Sequence, residues 1–356
     1  MIPIYKPYMS DNIDSEISSI LYSGQLGYGK YGKVFENKLK SFIECEYILS
    51  VSSYNLAMLI VLSTLGLNKG DEIIASPVSC LASNQPFAVK GLKVIWVDIN
   101  PETGSMCPDD LKVKITNKTK AIFHNHFCGY LGNIDEINTI GNSFGIPVID
   151  DGIEAFGSEY KGKKIGNLGT DITVFSFQTV RLPNTIDGGA IVFKDKELYE
   201  KALLIRDYGI DRAIFRTDNG EINPKCDISL EGYGGLMSEL NSFLGTKQMD
   251  DIEDLLLRQK KNAFVWDQKI MNMDNFNSLK LTENTMPNYW VYGILCEDKE
   301  IAINYFKDNG FYATGVHINN NVYSVFNNKD NLKGVNEFMK HFLAIPCGWW
   351  FENKLL

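Results

Sequence analysis

The stretch Gly145-Ile146-Pro147-Val148-Ile149-Asp150-Asp151-Gly152-Ile153-Glu154 decides the fold. A glycine leads into an apolar run, Ile146 to Ile149, which stops at two acids, and such a run reads as a buried strand. Carboxylates at the carboxyl end of a sheet strand lie where open α/β folds place their ligands. Outward from this point, residues 34 to 195 alternate helix-like and strand-like signals, the pattern of a parallel sheet flanked by helices. The spacing predicts helices over 35–45, 55–65 and 84–89. Strands are predicted over 47–52, 72–75, 93–97, 121–125, 173–177 and 189–193. Beyond residue 195 the character changes. Residues 248–263 read as a long charged amphipathic helix, 289–296 and 313–317 as strands, and the polar stretch 217–228 as a loop. These signals divide the chain near residue 245, into a large domain over 1–245 and a smaller C-terminal one over 246–356.

At 356 residues and 44% hydrophobic content, the chain is long enough for two buried cores. A net charge of −9, without any Lys/Arg block, argues against nucleic acid as a partner. The opening MIPIYKPYMS lacks the apolar core of a secretory signal. No apolar run approaches the roughly 18–20 residues of a membrane span, so a cytoplasmic protein is expected. Seven cysteines without a C-x-x-C pair fit reduced thiols and give no zinc-type spacing.

Several local features carry chemistry. The run Val51-Ser52-Ser53-Tyr54-Asn55 passes from a strand into a helix start, whose free N–H groups favour an anion. By itself it reads simply as an N-capped helix. Asp151 reads either as a ligand-facing carboxylate or as a cap of the next turn, and Ser176 as a hydroxyl ligand or a polar strand residue. His126 is either a strand-end histidine near a ligand or a buried histidine with a satisfied hydrogen bond.

Order and spacing tie these features together. The motifs are Ser23-Gly24-Gln25-Leu26-Gly27-Tyr28-Gly29, Gly70-Asp71-Glu72-Ile73-Ile74, Val97-Asp98-Ile99 and Val148 through Gly157. They continue with Phe175-Ser176-Phe177, Asp187-Gly188-Gly189, Arg206-Asp207-Tyr208-Gly209 and Ile345-Pro346-Cys347-Gly348-Trp349-Trp350. Across nearly its whole length the chain resembles the DegT/StrS family of nucleotide-sugar aminotransferases. The resemblance implies an α/β fold-type I, aspartate-aminotransferase-like transferase with a mostly parallel central sheet flanked by helices and a smaller C-terminal α/β domain. It implies pyridoxal phosphate (PLP) or its amino form (PMP) as cofactor and a nucleotide-linked sugar as substrate, in cell-surface polysaccharide biosynthesis. A homodimer sharing its sites across the interface is implied as well. Carried over by position, Asp151 matches the partner of the pyridinium nitrogen and Ser176 a phosphate ligand. Glu154 stands where Gln or His usually lies near the cofactor's phenolic oxygen, and Cys80 where an aromatic side chain often stacks. His126 matches a strand-end histidine. The family continues with a final helix after the position of Trp350.

The pattern breaks at four places. Arg181 takes the position of the Schiff-base lysine, and no lysine lies between Lys164 and Lys194. Tyr54 replaces the glycine of a phosphate turn that here reads Ser53-Tyr54-Asn55. Ser238 follows Met237 where the family has an Asn reaching toward the neighbour's cofactor. Asn319, in His317-Ile318-Asn319-Asn320, replaces an arginine for the substrate. A guanidinium stays protonated, so Arg181 neither condenses with an aldehyde nor shuttles a proton. Three readings follow: an enzyme holding PLP or PMP without a covalent link, as in the sugar-dehydrating branch of the family, with His126 or Glu154 moving the proton; a catalytically silent homologue acting as a binding module or pairing with an active paralogue as a heterodimer; or an ordinary aminotransferase silenced by the arginine.

Overall fold

The computed structural model describes residues 1–327 and 330–351. In chain order its strands are β1 (Ile48–Val51), β2 (Glu72–Ala75), β3 (Lys93–Trp96), β4 (Thr119–Asn125), β5 (Val148–Asp151), the short hairpin β6 (Glu159–Tyr160) and β7 (Lys163–Lys164), β8 (Ile172–Ser176) and β9 (Gly189–Phe193). Among the described residues seven of them form the central sheet, ordered β1-β9-β8-β5-β4-β2-β3. Strand β9 runs antiparallel to both neighbours, and the other pairs are parallel. Most of these strands are buried along their whole length, as a sheet covered on both faces requires.

The helices are α1 (Asp14–Leu21), α2 (Lys30–Ile43), α3 (Tyr54–Thr64), α4 (Leu81–Val89), α5 (Pro108–Lys114), α6 (Ile134–Phe144), α7 (Lys196–Arg206), α8 (Glu239–Ile270), α9 (Lys299–Asp308) and α10 (Lys333–His341). Strand alternation sorts the core by face. Ile149, Val174 and Ile191 join α3 in one cluster. Val148 packs with Leu111 of α5 and Ile137 of α6, while Phe175 and Val192 pack with α2 and α8. Asp151 therefore shares the α3 face with Ile149, and Asp150 shares the α5/α6 face with Val148.

The remaining strands are β10 (Phe276–Ser278), β11 (Thr285–Met286), β12 (Tyr292–Cys296) and β13 (Phe342–Ile345). Strands β10, β12 and β13 make a small antiparallel sheet, and β11 adds to the β6/β7 hairpin. Helix α8 connects the two parts. Its first turns pack on α2, where a Cβ at Gly245 would stand 2.7 Å from the Phe35 ring. Its last turns bury Trp266 against Phe306 and Phe311, with the indole N–H donated to the Pro346 carbonyl at 2.9 Å.

The predicted strands of the large domain reappear within a residue or two. Residue 245 lies inside the continuous 32-residue helix α8. One expectation changes. Residues 313–317 form no strand. Thr314 makes one bridge to Ala344 before Val316 turns to φ +61° and leads the backbone away. The segment after Trp350 is described only as far as Phe351. Among them no helix is long and apolar enough to cross a membrane.

Candidate active site

Asp151 ends β5 on the α3 face and is fully buried. The side chain reaching it is Tyr54, the first residue of α3, whose hydroxyl donates to Asp151 Oδ1 at 2.6 Å. Asn125, in register with Asp151 on β4, donates to Oδ2 at 2.6 Å, and the Ile153 N–H approaches Oδ1 at 3.2 Å. Burial raises the Asp151 carboxyl above its ordinary value, against these donors. Burial, then the neighbouring Asp151, holds the Tyr54 phenol well above its ordinary value, so it stays a donor. Helix α3 starts here because Ser53 caps it, its hydroxyl accepting the Leu56 N–H at 3.3 Å.

A second cluster surrounds Arg181, which follows the end of β8 in a tight turn closed by its own N–H on the Gln178 carbonyl at 2.8 Å. Its guanidinium is buried, lies 4.3 Å from the centre of the Trp290 ring, and approaches Glu154 Oε1 at 3.4 Å through Nη2. Nε and Nη1 have no partner among the described residues. Trp290 also stacks on Tyr5, ring centres 4.6 Å apart, and donates its indole N–H to the Val180 carbonyl at 2.8 Å. Glu154 is saturated: His317 Nε2 meets Oε1 at 2.8 Å and the Cys128 N–H meets Oε2 at 2.7 Å. Burial works against its charge, but His317 and then Arg181 hold its carboxyl below the ordinary value. The carboxylate is thus ionised and shared between two bases.

The other expected residues are scattered in role. Cys80 is the N-cap of α4, and its thiol is pushed up to about 11 by burial and then by Glu154. Ser176 is buried at the end of β8, with its hydroxyl oxygen 3.4 Å from the Gln178 N–H. Asn55 is exposed on the first turn of α3. Ser238 caps α8, accepting the Asn241 N–H at 3.1 Å. Asn319 donates to Asn321 Oδ1 at 2.6 Å, beside a cleft of about 600 Å³ lined by Leu81, Lys299, His317, Asn319, Asn320 and Tyr323.

Of the two readings of His126, a strand-end histidine near the ligand or a buried histidine, strand alternation favours the second, putting it with His124 and Asp150 on the face opposite Asp151. Its Nδ1 accepts the Gly132 N–H at 3.2 Å, and its Nε2 lies 3.1 Å from Asp150 Oδ1, which His124 Nδ1 also meets at 3.2 Å. These three side chains have the residue types of a metal site. Nδ1 of His126 is engaged by the Gly132 N–H, while Nε2, close to Asp150 Oδ1, has no hydrogen-bond partner among the described residues.

Sequence reasoning missed Tyr5, Trp290, Asn125 and the Cys128 N–H. Asn125 was recoverable, because it pairs with Asp151 once adjacent parallel strands are assumed. Tyr5 and Trp290 come from the far N-terminus and from the second half of the chain, and nothing local marks them.

Comparison with known proteins fits this architecture. A GDP-perosamine synthase of Escherichia coli O157:H7 is 29% identical over 98% of this chain and 91% of its own length. The sugar aminotransferase CalS13 from Micromonospora echinospora superposes with a TM-score of 0.93 at 26% identity, covering 99% of this chain and 96% of its own. The Spr1654 sugar aminotransferase from Streptococcus pneumoniae, described as putative and solved in PMP form, shares the fold at a TM-score of 0.89 and 22% identity, covering 99% and 96%. The pattern of the DegT/DnrJ/EryC1/StrS aminotransferase family matches residues 7–353, and the chain belongs to that family.

Proposed function

We propose that this chain is a non-transaminating member of its family, which keeps the fold and a cleft for a nucleotide-linked sugar and serves as a binding module or as the partner subunit of an active paralogue. The observation that carries this reading is Arg181, buried on Trp290 and paired with Glu154 at the lysine position. PLP and PMP are the cofactors that the family implies, and Spr1654 is solved in both forms. The residues here do not fit them as arranged. No amine stands at position 181, and Tyr54 and Asn125 already hold the two oxygens of Asp151. Among the described residues a proton carrier is lacking as well. Glu154 is ionised between His317 and Arg181, and His126 stands on the other face of the sheet, its Nδ1 taken by the Gly132 N–H.

The relative named as a GDP-perosamine synthase supports a GDP-linked sugar as the ligand class. The cleft beside His317 and Lys299 is the place for it. Calorimetry with such a sugar nucleotide should register binding, while incubation with PLP and glutamate should give no amino sugar. Amino-sugar formation by the unaltered chain refutes the proposal. A second reading, a PMP enzyme without a covalent link, is favoured by Asp151 and Ser176 standing at adjacent strand ends. It requires Tyr54 to release Asp151.

A further inference from the structure

We infer that Tyr54 is a built-in occupant of the place where a cofactor ring would meet Asp151, so that this chain excludes PLP and PMP by filling their site as well as by lacking an amine. This deepens the non-transaminating reading but rests on a different side chain from Arg181, and the two are separable.

The phenol is a six-membered aromatic ring ending in a donor, as a protonated pyridine is. Its oxygen lies 2.6 Å from Asp151 Oδ1, the spacing of a charge-assisted hydrogen bond, and a ring N–H needs that same approach. The rest of the carboxylate is no freer: Asn125 holds Oδ2, the Ile153 N–H faces Oδ1, and the residue is fully buried. An incoming ring must therefore displace Tyr54.

Three contacts keep Tyr54 in place. The Ser52 N–H is bonded to the Gly235 carbonyl at 2.9 Å, just ahead of the helix. Ser53 caps the first turn. Gly189 of β9 packs so closely that a Cβ there would stand 3.3 Å from the Tyr54 Cα. The start of α3 is pinned, and only side-chain rotation would clear the site. That rotation removes the donor from Asp151 and takes a buried ring, 5% exposed, out of the core.

The test is cofactor binding by equilibrium dialysis and visible absorbance for four proteins: the unaltered chain, Arg181→Lys, Tyr54→Gly, and the double variant, with folding checked by circular dichroism. An amine at 181 condenses with the PLP aldehyde and releases one water, so only variants carrying that change can hold the cofactor covalently. We expect no binding by the unaltered chain or by Arg181→Lys, non-covalent binding of PLP and PMP by Tyr54→Gly, and covalent PLP in the double variant. The double variant should bind PLP about 100-fold or more tighter than Arg181→Lys. Binding by Arg181→Lys equal to that of the double variant overturns the Tyr54 inference and leaves the Arg181 reading standing. Amino-sugar formation by the unaltered chain overturns the reading itself. Where Tyr54→Gly does not fold, Tyr54→Phe decides. It keeps the ring and drops the hydroxyl, so continued exclusion supports a filled site, and PLP binding by Tyr54→Phe overturns it.

Discussion

Replacing Glu154 by glutamine conserves its shape and removes one charge. Glu154 is almost wholly buried, ionised, and shared by Arg181 at 3.4 Å and His317 at 2.8 Å. The neutral amide still accepts the Cys128 N–H, but the guanidinium, two of whose nitrogens lack partners among the described residues, loses the counter-charge of Glu154. Breaking a buried pair by removing one member costs about 3–5 kcal/mol, because the other charge is left desolvated. The face of Trp290 compensates for part of this, on the order of 1–2 kcal/mol for a desolvated cation over an indole. The expected cost of Glu154→Gln is thus about 1–4 kcal/mol. Urea denaturation followed by tryptophan fluorescence should show the midpoint fall with the slope unchanged. Arg181→Met, which removes the charge but leaves a chain to lie on Trp290, should recover most of the loss when combined with Glu154→Gln. A coupling above about 1 kcal/mol is expected from that cycle. Strictly additive effects, or a Glu154→Gln cost under about 0.5 kcal/mol, would refute the claim that the two charges hold each other in the core.

Tyr54→Phe deprives a buried carboxyl of one donor and should cost about 1–3 kcal/mol by thermal or urea unfolding; a neutral result would mean that the hydroxyl contributes nothing to Asp151. The pH dependence has a worked sign. Glu154 and Asp150 have folded values held below their ordinary ones, Asp150 by His126 and His124 against the effect of burial. Their stabilisation is fully present above the unfolded carboxylate range of about 3.9–4.3 and is lost as pH falls through the folded values. Asp151 is raised, so its contribution runs the other way, present at low pH and lost as pH rises through its folded value. Unfolding temperature should therefore drop below about pH 4, and less steeply in Glu154→Gln than in the unaltered chain. Trp266→Ala should cost about 3–5 kcal/mol, because Trp266 anchors the last turns of α8 in the small-domain core; a loss below 1 kcal/mol by urea midpoint would show that α8 does not hold the two parts together.

The fold was legible where the signal is periodic and local. Val148 to Asp151 and Gly189 to Phe193 are short buried runs bounded by turn residues, and the structure places strands there. Helices α9 and α10 went unread because each buries only two apolar side chains, Ala302 and Phe306 in one, Val335 and Phe338 in the other. The strand expected over 313–317 failed on a backbone property, since a valine at positive φ leaves no mark in composition. At the site, position along the chain singles out Asp151, Tyr54, Arg181, Glu154 and His317. It does not say which of them touch: the Tyr54–Asp151 and Glu154–His317 contacts join segments 97 and 163 residues apart. The face that His126 takes has a simpler reason. A strand's two faces alternate, and the register that puts Asn125 beside Asp151 must turn its neighbours away.

Tyr54 and Arg181 acquire their meaning together. Either change alone has an obvious reversal: a lysine returns the amine, a glycine returns the space. Each reversal by itself leaves the other obstacle intact, so neither single substitution recovers covalent cofactor. Such a pair is expected when selection for cofactor binding is absent, because the polar groups that a cofactor would satisfy still need partners once it is gone. Asp151 is a buried carboxyl and an unpartnered one is costly; the Tyr54 hydroxyl supplies its donor. Glu154 has the same need, met by His317 and Arg181. Two of the residues that read as departures from a catalytic pattern, Tyr54 and Arg181, are in this structure groups that partner its buried carboxylates.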